Sequence, residues 1–128
     1  MKLSVDPFIA IDHVQLAMPA GGEERARAFY GNILQMTEIA KPAALSLRGG
    51  VWFQSGDVMV HLGVDQDFKA ARKAHPAFRC TDFEHVTQRL RESGYEVVPD
   101  DVKLAGALRI YTHDPFGNRL ELIAASPG

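Results

Sequence analysis

The feature that most constrains this chain is an internal repeat with a period of about sixty residues. In each half, a stretch of alternating apolar and polar residues precedes a stretch with helical spacing, and three further strand-like stretches follow. Each half therefore predicts the order strand, helix, strand, strand, strand. Because this order occurs twice, we expect an α+β protein built from two equivalent βαβββ modules, related by a pseudo-twofold axis.

We place both modules in a single domain, residues 1–128, because a chain of this length can bury a core of its own. Module one is predicted to cover residues 11–64 and module two residues 75–124. The segment between them, residues 65–74, is polar and charged and has no strand pattern. It is predicted to be a linker.

The end of module two combines a turn signal with an acidic residue inside a strand. Asp114 and Pro115 open a tight turn, and Gly117 and Asn118 close it, since both tolerate a positive φ. In the strand that follows, leucines alternate with other residues, so Glu121 lies on the face opposite to the leucines. A carboxylate at this position is either solvated or placed there for chemistry.

The repeat puts four side chains that can bind metal at equivalent positions. His13 and His75 start the first strand of each module, whereas His61 and Glu121 lie in the middle of each last strand. If the modules pack about a pseudo-twofold axis, the four positions meet. Three neutral imidazoles and one carboxylate suit zinc, nickel, cobalt, manganese or iron(II). The alternative is that the histidines are hydrogen-bonded strand residues and that Glu121 has no special role.

Four further residues are candidates for substrate binding. Gln15 and Arg79 lie on the same strand faces as the two first-strand histidines, and Arg109 and Tyr111 share a face just before the final turn. Arg79 could pair with a carboxylate or a phosphate, or it could be a solvated arginine. Tyr111 could line the mouth of the site or be a half-buried strand aromatic.

Two adjacent aromatic residues in module one must point in opposite directions. Trp52 and Phe53 are neighbours in a predicted strand, and successive strand residues lie on opposite faces. We therefore expect one of the two rings in the core and the other against the pocket.

Composition excludes several classes of partner. A formal net charge of −2 and a pI near 6.2 give no footprint for nucleic acid or an anionic membrane. Cys80 is the single cysteine, so no internal disulfide can form, as is typical of a reducing compartment. Since neither a signal-like start nor a long apolar run occurs, we expect a cytoplasmic protein.

The order His13, His61, His75, Glu121, together with Phe29-Tyr30-Gly31 and the motif from Asp114 to Glu121, resembles the vicinal oxygen chelate superfamily. This group includes glyoxalase I, bleomycin-resistance proteins and extradiol dioxygenases. The resemblance spans Ile11 to Ala124. It implies paired βαβββ modules that form a curved mixed sheet with an open cup, helices packed outside, and a divalent metal in the cup.

The resemblance also implies a function. The leading expectation is a metal-dependent glyoxalase-like lyase or isomerase that acts on a small molecule with vicinal oxygens through an enediolate, with Glu121 as catalytic base. One alternative is a metal-free resistance protein that sequesters a drug, and another is an iron-dependent dioxygenase. Relatives dimerise, so we expect a homodimer whose metal site lies within one chain or between two. No signature of a thiol cofactor is present, and the sequence does not identify the substrate.

Overall fold

The computed structural model describes residues 1–2 and 5–126. Each half of the chain forms one four-stranded sheet. The first half contains β1 (Val14–Met18), α1 (Glu23–Ala26), a π-helical segment (Arg27–Ile33), β2 (Thr37–Ile39), α2 (Ala43–Ser46), β3 (Val51–Ser55) and β4 (Val58–Val64). The second half contains β5 (Ala77–Cys80), α3 (Phe83–Glu92), β6 (Val98–Pro99), β7 (Arg109–His113) and β8 (Arg119–Ala124).

The two sheets have the same topology. The strand order is β1-β4-β3-β2 in the first and β5-β8-β7-β6 in the second. In each sheet the first and last strands of the half pair in parallel and the remaining neighbours pair antiparallel. The predicted α+β class with two repeated modules is confirmed. The sheets are two separate four-stranded sheets within one chain, which leaves β1 and β5 each at a sheet edge.

The first helix changes type where its two aromatic residues enter the core. It continues from α1 into π-helical turns, in which the Leu34 N–H donates to the Phe29 carbonyl, five residues earlier. Phe29 and Tyr30 are both fully buried, and their rings meet edge to face with centroids 4.9 Å apart. The ring of Tyr30 also stacks on that of Phe53, with centroids 5.6 Å apart. The helix thereby covers one face of the first sheet.

Asp114 accepts four hydrogen bonds, three within its own turn and one from the first half of the chain. Its Oδ1 accepts from the backbone N–H groups of Phe116 and Asn118, each at 2.9 Å, which closes the turn before β8. Its Oδ2 accepts from the Tyr30 hydroxyl at 2.7 Å and from the Asn118 amide at 2.9 Å. The same amide donates to the Ala17 carbonyl on β1 at 2.8 Å. The turn motif is therefore a buried junction between modules.

The segment around Tyr95 ends the last helix rather than forming a strand. The Tyr95 N–H donates to the Leu90 carbonyl at 2.9 Å, and Gly94 has a φ of +85°, so this segment completes the C-terminus of α3. The Tyr95 ring then packs against Phe29, with centroids 4.8 Å apart. Pairing with β7 begins only at Val98. Among the described residues, no helix is long and apolar enough to cross a membrane.

Candidate metal and substrate site

The second sheet brings His75 and Glu121 into direct contact. Glu121 lies in the middle of β8, and its side chain is almost fully buried. His75 precedes β5 and sends its Nε2 to within 2.9 Å of Glu121 Oε1. Its other ring nitrogen, Nδ1, lies 2.8 Å from the Lys73 carbonyl oxygen.

The contacts of His75 determine which nitrogen carries a hydrogen. A carbonyl oxygen can only accept, so Nδ1 must be the donor to Lys73. In the neutral ring, Nε2 then carries a lone pair and faces a carboxylate oxygen, and two hydrogen-bond acceptors cannot bond to each other. The contact requires a proton on one of these two atoms or a cation that both His75 and Glu121 can bind. Metal-binding histidines use this same second hydrogen bond to fix their orientation.

Arg109 on β7 holds the second oxygen of Glu121. Its Nη1 lies 3.1 Å from Glu121 Oε2 and 2.9 Å from the Tyr111 hydroxyl, and its Nη2 lies 2.9 Å from Asp100 Oδ2. Its Nε donates to the Val102 carbonyl at 2.8 Å. Burial alone would raise the pKa of Glu121, but the hydrogen bonds from His75 and Arg109 outweigh it, so that pKa lies below the usual 4.5.

The first sheet gathers three stacked rings. His61 lies parallel to Trp52, with centroids 3.8 Å apart, and to His13, with centroids 4.1 Å apart. His13 Nδ1 lies 2.8 Å from Asp12 Oδ1, so this nitrogen is the donor and Nε2 carries the lone pair. His61 Nε2 is buried and has no hydrogen-bond partner among the described residues. Burial, together with the nearby His13, lowers the pKa of His61 and favours its neutral form.

The two pairs occupy equivalent places in the two sheets. Gln15 pairs with His61 in one sheet, as Ala77 pairs with Glu121 in the other. His13 and His75 each lie two residues before the paired position, as the repeat predicts. Within the residues described here, no group of three or more histidine, cysteine, aspartate or glutamate side chains can hold a metal. The four candidates therefore lie in two pairs, His13 with His61 and His75 with Glu121, which we call the candidate half-sites.

The remaining candidates surround these pairs. The Gln15 side chain lies against Gly63, where an added Cβ would clash with its amide nitrogen. The Tyr111 ring lies beneath Arg119, whose guanidinium carbon is 4.2 Å from the ring centroid. Arg79 is exposed on β5.

Sequence reasoning missed the residues that orient the site. Asp12, the Lys73 carbonyl and Asp100 were not candidates. Asp12 could have been found because it adjoins His13. By contrast, nothing in the sequence links Asp100 to Arg109. The Lys73 carbonyl could not be found either, because every residue has a backbone carbonyl and the sequence does not show which one contacts His75.

The donor set fits a divalent metal. His13 and His75 both direct Nδ1 to an oxygen, which turns the Nε2 of each toward a possible cation; that of His75 faces Glu121 Oε1, a second ligand atom. His61 adds a buried imidazole nitrogen that lacks a hydrogen-bond partner among the described residues, and Glu121 adds a carboxylate. Neutral imidazole and carboxylate are ligands typical of zinc and of other first-row divalent metals.

Comparison with known proteins agrees with this fold. The family model for the Glyoxalase/Bleomycin resistance protein/Dioxygenase superfamily matches residues 10–122. A glyoxalase family protein from Bacillus anthracis is 44% identical, with a TM-score of 0.90, and the match covers 95% of this chain and 99% of that chain. No significant match was found among curated proteins.

More distant structures share the fold. One is a mutant of the fosfomycin resistance protein FosX from Listeria monocytogenes, complexed with Mn(II) and 1S,2S-dihydroxypropylphosphonic acid. It is 21% identical, with a TM-score of 0.75, over 93% of this chain and 94% of that chain. A glyoxalase/dioxygenase from Nostoc punctiforme is 21% identical, with a TM-score of 0.70, over 94% and 98% of the two chains.

The repeated βαβββ modules and the match over nearly the whole chain define a vicinal oxygen chelate fold. The chain belongs to the Glyoxalase/Bleomycin resistance protein/Dioxygenase superfamily.

Proposed function

We propose that the chain is a small enzyme that depends on a divalent metal, a glyoxalase-like lyase or isomerase acting on a small molecule with two adjacent oxygens. His13, His61, His75 and Glu121 would hold the metal. The observation that carries this proposal is the orientation of His13 and His75, whose Nδ1 atoms bond to oxygens and whose Nε2 atoms point away from them, that of His75 directly at the Glu121 carboxylate. When bound, the metal would polarise the two substrate oxygens.

Glu121 is our candidate for the general base. Its pKa lies below 4.5, so the carboxylate is ionised at neutral pH. The hydrogen bonds from His75 and Arg109 that lower this pKa also weaken it as a base, and release of the His75 contact would strengthen it. Arg109 restrains Oε2, whereas Oε1 is bonded only to His75 among the described residues, so Oε1 is the oxygen that can change partners. It would take a proton from the carbon beside the substrate carbonyl and return it to a neighbouring atom.

We also propose that the protein is a homodimer in which the half-sites of two chains combine. The separation of the two ligand pairs within one chain supports this arrangement. So do the edge strands β1 and β5, since exposed edges are usually paired or covered. Each chain would contribute His13 and His61 to one site and His75 and Glu121 to the other.

The exposed apolar segment before β1 also supports the proposal of a homodimer. It has no regular structure over residues 6–13, and its large apolar side chains are at least 74% exposed: Val5, Phe8, Ile9 and Ile11. Covering four such side chains would bury about 600 Å² per chain, or about 1,200 Å² for two chains. That area reaches the lower end of stable interfaces. The segment leads directly into His13, so a partner that covers it would lie next to the half-site.

A second candidate function is capture of a flat ligand without metal, as expected of a sequestering resistance protein. The observation that favours it is the stack of Trp52, His61 and His13, which offers an aromatic surface. Metal content separates the two proposals. A protein that purifies without stoichiometric metal, and gains none on reconstitution, would be a binding protein.

Titration of metal-stripped protein with Mn(II), Zn(II) and Ni(II) in a calorimeter tests the enzyme proposal. We expect one site per chain, and we expect His75→Gln to weaken binding at least tenfold, because it removes a ligand. His85→Gln is the matched control, since His85 is exposed on α3. Equal affinities for the His75 and His85 variants would contradict the proposed ligand set.

A further inference from the structure

Strand register defines which side chains share a face with Glu121. Tyr111 pairs with Glu121 on one side and Ala77 pairs with it on the other. Directly paired residues project from the same face of a sheet. One step along the sheet, two residues further on β8, Ile123 pairs with Arg79 and with Arg109. Both arginines therefore lie on the same face as Glu121.

A third arginine lies at the opposite end of the same face. Arg119 precedes Glu121 by two residues on β8, so its side chain projects from the same face, about 7 Å away along the strand. Its guanidinium lies over the ring of Tyr111, the strand partner of Glu121. Arg79 and Arg109 thus lie on one side of Glu121, and Arg119 lies on the other.

The charges on this face do not cancel. Arg109 is in ion pairs with both Glu121 and Asp100. Within the part of the chain that the structure describes, neither Arg79 nor Arg119 takes part in an ion pair. Three guanidinium groups against two carboxylates leave this face with a net charge of +1 when its histidines are neutral.

The equivalent face of the first sheet has an uncharged centre. Its central row is Gln15, His61 and Trp52, which corresponds by register to Ala77, Glu121 and Tyr111 in the second sheet. Two residues away lie Met59 and Gln54, which pair with each other. A cup assembled from the two faces would have one neutral, partly aromatic wall and one cationic wall.

We propose that the substrate is a small anion whose acidic group, a carboxylate or a phosphonate-like group, is bound by Arg119, with Arg79 at the other end of the same wall. Its location rests on the proposed function, but the binding of the acidic group does not need the metal. Arg109 offsets part of the charge of Glu121, although it also pairs with Asp100, so the excess positive charge on this face comes from Arg79 and Arg119. Arg119 offers donors in a fixed plane, which suits the oxygens of an acidic group.

The test compares three probes of similar size by calorimetry on the metal-stripped full chain: hydroxymethylphosphonate, glycolate and the neutral hydroxyacetone. We expect at least one of the two anions to bind about tenfold or more tightly than hydroxyacetone, and its affinity to fall as salt is added. The phosphonate and the carboxylate together identify which acidic group is preferred.

Variants then assign the binding to Arg119. Arg119→Met keeps an aliphatic chain over Tyr111 and removes the charge, so we expect a loss of about tenfold or more for the anion and no change for hydroxyacetone. Arg119→Lys should retain a preference for the anion. Arg91→Met, on the exposed surface of α3, is the control that should bind as the parent does.

Three outcomes would overturn the inference: no binding of either anion at millimolar concentration, hydroxyacetone binding as tightly as the anions, or Arg119→Met binding as the Arg91 control does. A chain that binds the anions but no metal would instead refute the proposed metal function and leave this inference standing. The two failures are therefore distinguishable.

Discussion

Asp114→Asn should destabilise the fold more than any other single isosteric exchange at a turn of this chain. The Asp114 carboxylate is buried and accepts four hydrogen bonds, two on each oxygen. If the new amide retains its oxygen toward the backbone, its NH₂ group faces the Tyr30 hydroxyl and the Asn118 amide, both of which now donate. The Tyr30 hydroxyl can rotate and accept from the new amide, whereas the Asn118 amide can only donate there, so one buried hydrogen bond is lost and two N–H groups are left face to face. The remaining contacts lose the carboxylate charge.

The size of the effect follows from those two contacts. A hydrogen bond to a charged group contributes about 1.5–3 kcal/mol and one between neutral groups about 0.5–1.5 kcal/mol, so losing the Asn118 contact and weakening the Tyr30 contact lowers the free energy of unfolding by about 2.5–4.5 kcal/mol. That is a large share of the roughly 5–15 kcal/mol that stabilises a typical domain. Tyr30→Phe removes only one of the contacts and should cost about 1.5–3 kcal/mol.

Urea unfolding, followed by circular dichroism at a fixed protein concentration, measures these differences. Asp57→Asn is the matched control, because Asp57 is exposed in the repeat-equivalent turn between β3 and β4. We expect this control to lie within about 0.5 kcal/mol of the parent. An Asp114→Asn variant that unfolds at the same urea concentration as the control would refute the role of Asp114 as the junction between modules.

Three further outcomes follow from the structure. Phe8→Asp should convert the dimer to a monomer, measured by light scattering. Leu47→Asp is the control, because Leu47 is equally exposed on the surface after α2, and it should remain a dimer. A Phe8→Asp variant that is still dimeric would contradict the proposed interface. Glu23 accepts a hydrogen bond from the Gly50 N–H, and this bond lowers the pKa of Glu23 below 4.5. The contact therefore contributes its full stabilisation above pH 4.5, and this stabilisation is lost as pH falls through the lowered pKa. Glu23→Gln should therefore flatten the acid side of the stability profile, measured by thermal unfolding, and an unchanged profile would count against this contact. Glu121→Gln should reduce proton-transfer turnover by about 10²-fold or more while metal still binds in calorimetry; full turnover would exclude Glu121 as the base.

Much of the fold could be predicted because periodicity in the sequence reports burial directly. The alternation of the strand around Trp52 and Phe53 predicts that their rings lie on opposite faces of the sheet. In the structure, Phe53 is fully buried in the core, whereas Trp52 stacks on His61. The internal repeat could be recognised in the sequence for the same reason. Each module must cover one face of its own sheet, so the same apolar pattern recurs.

Other features were not predictable because they depend on contacts between residues far apart in the chain. The Tyr30 hydroxyl meets Asp114 across 84 residues, and the Asn118 amide meets the Ala17 carbonyl across 101 residues. The π-helical turns depend on how two adjacent aromatic rings enter the core, and no local propensity encodes them. Repeat equivalence placed the four candidates at corresponding positions of the two modules, but it could not tell whether the two candidate half-sites of one chain meet.

A heterodimer of two inactivated chains tests the shared metal site most directly. His13→Gln and His75→Gln chains with different tags are co-expressed, and the heterodimer is isolated through both tags. If each site combines His13 of one chain with His75 and Glu121 of the other, one site keeps all its ligands and the second loses two. We predict one metal per heterodimer by mass spectrometry of the metal retained after dialysis, and much less in either parent homodimer. A heterodimer that holds no more metal than its parents would contradict a site built from two chains.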